Sequence, residues 1–228
     1  MVANERVVTP LAPDIPMHLG PAFGCGVLTG AGAVLTGLRV QAGTAVVVFG
    51  AGAVGLAAIA AAHASGATTI IAVDTNQQRL VTAAELGATH TVHSTGDNTS
   101  TEVRAIVPLG AHYSIEATGV PAVARSAVHA LQPGGTCALL GVGPAGTSLI
   151  LDHMQVALLG LTVVGLPAGS CDPGLLVPRL FELYRQGRLP VEKLVRTFAF
   201  SEIESAVKAA EEGSVVKPVL LFDHSPMT

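Results

Sequence analysis

The run TAVVVFGAGAVGLAAIAAA at 44–62 constrains this chain more than any other stretch. Across the 18 uncharged residues 45–62 the character changes twice: β-branched first, then punctuated by glycine, then rich in alanine. Length alone would admit a membrane-spanning helix. Consecutive valines followed at once by Gly50, Gly52 and Gly55 do not suit one continuous helix, because valine favours extended backbone and glycine interrupts regular structure. A buried strand at 44–49, a tight turn, and a helix at 54–65 stopped by Gly66 account for the composition at each point.

The same alternation recurs downstream. A strand is expected at 69–73, ending in Asp74, then a helix at 77–86 capped by Asn76 and stopped by Gly87. A short strand at 91–92, a helix at 99–107 ended by Pro108, and a strand at 113–116 follow. Next come a helix at 120–131 with Pro121 in its first turn, a turn at 132–135, and strands at 136–140 and 161–166. Helices at 174–186 and 202–211 and a strand at 217–222 close the chain; its start is irregular (Pro10, Pro13, Pro16, Pro21), then a small-residue, helix-compatible segment runs to Leu38. Strand and helix in alternation require right-handed crossovers, so the expected fold class is α/β, an open doubly wound parallel sheet.

The glycines carry the chemistry. Gly50, Gly52 and Gly55 fit G-x-G-x-x-G, but 26 glycines in 228 residues produce that spacing by chance about 0.3 times, so context must decide. A second copy, Gly141, Gly143 and Gly146, contains Pro144 and is followed by TSLIL, which is strand-like rather than helical. The first copy joins an expected strand to an expected helix, and Asp74 ends the next strand 24 positions after Gly50. Gly50 permits the turn, Gly52 lets backbone approach a pyrophosphate, and Gly55 allows close helix packing. The amides around Ala53 and Val54, at the positive end of the helix, then receive phosphate charge. A carboxylate at Asp74 accepts from ribose hydroxyls and repels a 2′-phosphate, favouring NAD over NADP; the lesser alternative is a cap for the next helix. Arg79, one helical turn on, reaches toward the adenosine ribose or is simply solvated. A methyltransferase site for S-adenosylmethionine pairs similar features but carries an acid just before the first glycine, where this chain has Val47, Val48 and Phe49.

The formal charge of −4, without a Lys/Arg cluster, excludes nucleic acid as the main partner. Cys25, Cys137 and Cys171 form no C-x-x-C pair, and the first residues carry no apolar leader. A cytoplasmic protein acting on a small molecule, with no membrane partner, is the expectation.

Seven segments together resemble a known family: GCGVLTGAGAVL (24–35), VVVFGAGAVGLAAI (46–59), IIAVD (70–74), ELGATH (85–90), IEATG (115–119), LQPGGT (131–136) and GSVVKPVLLF (213–222). They are similar to the cofactor-binding half of zinc-type alcohol dehydrogenases, in the medium-chain dehydrogenase/reductase superfamily. GPAFGCGVLTGAGAV (20–34) resembles the aryl-alcohol dehydrogenase branch. The resemblance implies a Rossmann domain over 27–166, a remnant of a catalytic domain over 1–26, and C-terminal elements over 167–228 that pack on that domain. It implies that Cys25 is a ligand of the catalytic zinc, although residue type alone fits a structural cysteine equally. Thr29 and Val54 would line the nicotinamide, with Thr29 at the catalytic position. Thr118, Leu140 and Val142 would follow the cofactor along strand ends, and Lys217 would contact its phosphates or stand solvated.

In complete relatives a preceding domain supplies the other zinc ligands; a catalytic zinc needs about three from protein, and this chain offers one. The histidines, including His90 and His93, sit beside no Cys or carboxylate at ligand spacing. Cofactor binding is therefore expected to survive, with zinc absent or loosely held. The strand at 161–166, between Leu161 and Leu166, is the expected homo-oligomer edge. Two functions stay open: the NAD-binding part of an enzyme passing hydride between a primary, aryl or allylic, alcohol and NAD, or a non-catalytic NAD(H)-binding module.

Overall fold

The computed structural model describes residues 4, 5, 8–94 and 99–222. Among the described residues, strands β1 (Ala45–Phe49), β2 (Thr69–Asp74), β3 (His90–His93), β4 (Ala111–Glu116), β5 (Leu131–Leu139) and β6 (Thr162–Gly165) form one parallel sheet in the order β3-β2-β1-β4-β5-β6. This is the order of a doubly wound Rossmann sheet, with its switch point between β1 and β4.

The strands read as continuous apolar runs because both faces are covered. Side chains alternate across a strand, so Val46 and Val48 enter one core while Val47 and Phe49 enter the other. Ile70 and Ala72 join the first core, and Ile71 and Val73 the second. Helix α3 (Ala53–Ala64) is buried from Gly55 to Ala62 and is therefore apolar all round rather than amphipathic. The uncharged run that could have spanned a membrane is thus divided between β1 and α3; among the described residues no single helix is long and apolar enough to cross one.

The N-terminal helices explain why α3 has no wet face. Helix α2 (Gly26–Gly32), whose last turn continues as a π-turn through Ala33–Gly37, covers it, and α1 (Gly20–Phe23) packs on α2. A Cβ on Gly30 would stand 2.0 Å from the Val54 carbonyl oxygen, so only glycine allows the two backbones to meet there. Phe23 packs edge-on against Phe181, and Arg185 holds Asp14 through its Nε and Nη2, each at 2.6 Å.

Other crossovers are made by α4 (Gln77–Glu85), α5 (Thr99–Ile106), α6 (Pro121–His129) and α7 (His153–Leu158). Beyond the sheet, α8 (Pro173–Arg185) and α9 (Ile203–Glu211) accompany a two-stranded parallel sheet of β7 (Val195–Ala199) and β8 (Lys217–Leu221).

The expected elements lie within a residue or two of these bounds, with four differences. β5 begins at Leu131, not 136: Leu131 pairs with Ala111 ahead of a register shift, which draws the Gln132–Gly135 turn residues into the strand. β3 is longer than expected because its ladder to β2 runs from Ile71↔His90 to Asp74↔His93. α7 was not expected; it buries none of its residues, so it leaves no apolar stripe in the sequence. β7 was not expected either, since its only ladder is to β8, about twenty residues later in the chain.

Candidate functional site

A cleft of about 560 Å³ opens at the carboxyl ends of β1, β2 and β4, at the switch point. Its floor is the glycine turn. Gly50 has φ +94°, the left-handed region where a side chain is strained, and its amide donates to the Val73 carbonyl at 2.8 Å. A Cβ on Gly55 would lie 1.8 Å from the Gly50 carbonyl oxygen, so the first turn of α3 can sit against the loop only without one. Gly52 differs: a Cβ there would meet nothing within 4 Å, because that position faces open space. No side chain caps α3 at Gly52, and its first-turn amides therefore lack a partner within the helix. An uncapped helix N-terminus beside an open glycine suits an anion.

Asp74 stands at the end of β2, 8% exposed. Its Oδ2 accepts from the Ala51 amide at 2.5 Å and its Oδ1 from the Asn76 amide at 2.8 Å. These two bonds fix the carboxylate's orientation and tie it to the glycine turn, while ionised carboxyl oxygens retain acceptor capacity for a ligand. Asn76 also caps α4, its Oδ1 accepting from the amides of Gln78 and Arg79 at 2.9 and 3.2 Å. The alternative role considered for Asp74, capping this helix, thus falls to Asn76. Arg79 lines the cleft too, and its buried Nε has no hydrogen-bond partner among the described residues. A buried guanidinium N–H without an acceptor is costly, and an incoming hydroxyl or phosphate oxygen would relieve it.

Gly50, Gly52, Asp74, Arg79 and Thr118 therefore come together, although three separate segments of the sequence supply them. The remaining candidates lie elsewhere. Ala53, Val54 and Gly55 form the first turn of α3 behind the cleft floor, and Thr29 is half-buried on α2, one residue before the Gly30 contact with Val54. Cys25 is exposed at the N-terminal end of α2. Leu140 is half-buried and Val142 is 91% exposed in the loop after β5; neither borders the cleft. Lys217 is half-buried at the start of β8, also away from the cleft lining.

Sequence reasoning missed several residues that line the cleft or stand beside it. Ser94, Thr99, Ser100 and Ser126 give it a hydroxyl rim, with Ser94 and Thr99 hydroxyls 2.7 Å apart. Isolated serines and threonines carry no sequence signal. Glu116, 1% exposed at the end of β4, accepts from the amides of Thr118 and Gly119 and from the Thr118 hydroxyl. An acid ending a buried strand was the available signal.

The residues present fit a dinucleotide: an open glycine, uncapped helix amides, an oriented carboxylate and an unpartnered arginine N–H. They do not fit a catalytic zinc. Among the described residues no group of three or more His, Cys, Asp or Glu could hold a metal, so Cys25 stands without the companions a catalytic zinc requires.

Comparison with known proteins places the chain in a family and matches its fold. Residues 53–181 match the family model described as zinc-binding dehydrogenase. Geraniol dehydrogenase of Castellaniella defragrans is 33% identical over 97% of this chain and 60% of its own length. The crystal structure of benzyl alcohol dehydrogenase from Acinetobacter calcoaceticus superposes with a TM-score of 0.90 at 37% identity, covering 93% of this chain and 59% of that one. An alcohol dehydrogenase zinc-binding domain protein from Burkholderia ambifaria gives 0.94 at 38% identity, covering 97% and 60%. The chain thus spans about 60% of the length of the relatives it matches.

Proposed function

Because the chain belongs to the zinc-binding dehydrogenase family, we propose that it is the NAD-binding part of an alcohol dehydrogenase. In a complete protein, NAD would accept hydride from a primary alcohol, with aryl or allylic alcohols favoured by the relatives named for benzyl alcohol and geraniol. The observation that carries the reading is the cleft at the switch point, where Gly52, Asp74 and Arg79 converge.

The roles follow from chemistry. Gly52 leaves room for the pyrophosphate, and the amides of Ala53 and Val54 with the α3 dipole offset its charge. Asp74, already aimed by Ala51 and Asn76, accepts from the adenosine ribose hydroxyls, and a 2′-phosphate there would meet a like charge. Arg79 supplies its unpartnered Nε–H to the same end of the cofactor. Thr118 closes the opposite wall. Toward the nicotinamide, Thr29 and Val54 would line the ring, Leu140 and Val142 would fold over the cofactor once it is bound, and Lys217 would meet its phosphates. Cys25, being exposed, is available to a zinc site completed by ligands from another polypeptide segment. The outer strand β6 (Thr162–Gly165), unpaired on one side within the described sheet, would be the edge joining two copies.

The lack of a three-ligand metal cluster in the described residues favours a second reading for this chain by itself: a module that binds NAD(H) without oxidising alcohol. Titration with NADH and NADPH, for wild type and Asp74→Ala, tests the first reading. NADH should bind more tightly than NADPH, and the substitution should weaken NADH about tenfold or more and narrow the difference. Equal affinities unaffected by the substitution would overturn the role of Asp74. Stoichiometric zinc and benzyl alcohol oxidation by the purified chain would exclude the second reading.

A further inference from the structure

β4 delivers one charged side chain into an otherwise closed environment. Glu116 is 1% exposed, and burying a carboxylate is costly unless its oxygens are well satisfied. Its Oε1 accepts three bonds: from the Thr118 amide at 2.6 Å, the Thr118 hydroxyl at 2.5 Å and the Gly119 amide at 2.9 Å. No cation is among them. The carboxylate is spent on shaping the turn that follows its own strand.

The effect is carried to the cleft by Thr118. Its hydroxyl donates to Glu116 and accepts from the Val120 amide at 3.1 Å, so both of its hydrogen-bonding roles are used and its rotamer is fixed. In that rotamer the methyl Cγ2 leans on the glycine turn, 2.7 Å from where a Gly50 Cβ would be. Gly50 bonds to Val73, and Ala51 bonds to Asp74. One line of contacts therefore runs from Glu116 through Thr118 to the glycine turn and on to Asp74, crossing the switch point. The Glu116 carbonyl also receives the amides of Leu140 and Gly141, which ties the loop after β5 to the same point.

We propose that Glu116 is the positioning residue of this cleft: its buried carboxylate clamps Thr118 against the glycine turn and so sets the separation of the β1 and β4 ends between which the cofactor lies. The proposal rests on the reading of the cleft as a dinucleotide site. A residue serving only to fill space at this position would be apolar, like the adjacent Ile115, which is fully buried. A carboxylate is needed because one oxygen must gather three donors, and charged acceptors hold amides more strongly than neutral ones.

Two variants expected to fold carry the test. Glu116→Gln keeps the shape but weakens the acceptor; Thr118→Ser keeps the hydroxyl but removes the methyl that touches Gly50. Each should raise the NADH dissociation constant about fivefold, and the double variant should be no worse than either alone, because both act through one contact. Additive losses would overturn the proposal. Amide hydrogen exchange provides a readout that needs no cofactor. Glu116→Gln should accelerate exchange at Ala51 and Gly52 as well as at Thr118 and Gly119, and leave α4 unchanged. Acceleration confined to residues 117–120 would reduce Glu116 to a local turn former. Wild-type protein that fails to bind NADH would defeat the cofactor reading, while exchange at the glycine turn would still decide whether the clamp exists.

Discussion

Two stretches of this chain carry the same glycine spacing, and they have opposite fates. At Gly50, Gly52 and Gly55 the backbone turns through φ +94° and continues into the buried twelve-residue helix α3. At Gly141, Gly143 and Gly146 it runs as an irregular loop after β5, with φ +84° only at Gly146. The glycines themselves differ in what they touch. Gly55 is pressed on its own turn, and Gly52 faces open space. Gly141 and Gly143 are instead pressed on Gly119, a Cβ on Gly141 lying 2.0 Å from the Gly119 amide nitrogen. In the first run absence of Cβ leaves open space at Gly52 and lets a helix pack at Gly55; in the second it lets two loops touch. A glycine spacing reports close approach, and only the flanking elements say to what.

That contrast can be broken most forcefully at Gly55. Gly55→Ala puts a Cβ 1.8 Å from a backbone oxygen that cannot rotate away, so strand, turn and helix must separate. A loss of about 3 kcal/mol or more in urea unfolding, together with loss of NADH binding, is expected. A stability change below about 1 kcal/mol would mean that the tight packing of the first run is not required.

A somewhat smaller effect is expected in the strand that feeds the second run. Cys137 on β5 is fully buried, and burial, assisted by the charge of Glu116, pushes its thiol up to about 11. The unfolded chain releases this proton above about pH 9, whereas the folded chain retains it until about 11. The contribution is therefore complete below pH 9 and lost as pH rises from 9 to 11, by about 2–3 kcal/mol. Comparing urea unfolding of wild type and Cys137→Ala across that window isolates the contribution of the buried thiol; parallel pH profiles would rule it out. Exposed Cys25 should react with a thiol reagent at pH 8 while Cys137 does not.

The sharpest separation, though the smallest in energy, comes from pairing Gly52→Ala with Gly146→Ala. The first adds a methyl to empty space and should leave stability within about 1 kcal/mol, yet weaken NADH about tenfold by occupying the phosphate position. The second forces alanine to φ +84° and should cost about 1 kcal/mol while leaving NADH affinity unchanged. If the two variants behaved alike, the distinction between the runs would fail.

Most of the sheet was legible because burial imposes its own grammar. β1 and β2 are apolar on both faces, α4 opens with a capping asparagine, and α3 is followed by Gly66 at φ +83°. Elements governed by distant partners were not legible. β7 (VRTFA) is mostly exposed or half-buried, and its extended form depends on its ladder to β8. No residue of α7 is fully buried, and only Val156 leans on the core, so no periodicity marks it. The candidate site divides in the same way. Gly50, Gly52 and Asp74 announced themselves through one βαβ unit, whereas the hydroxyl rim and the clamp at Glu116 did not, because their meaning lies in contacts made across the sheet. Leu140 and Val142 were named from the resemblance, and the loop that holds them stands clear of the cleft lining.

By itself, the sequence determined the succession of strand, turn and helix, the glycine turn after β1 and the acid ending β2, since each follows from local sterics and from burial repeating at a short period. Tertiary structure decided which glycine run faces open space, that the Asp74 carboxylate holds Ala51, and that Thr118 meets Gly50 from a turn more than sixty residues away. These are products of crossover connections that bring distant strand ends to one edge of the sheet, and no local preference along the chain encodes which side chains will meet there.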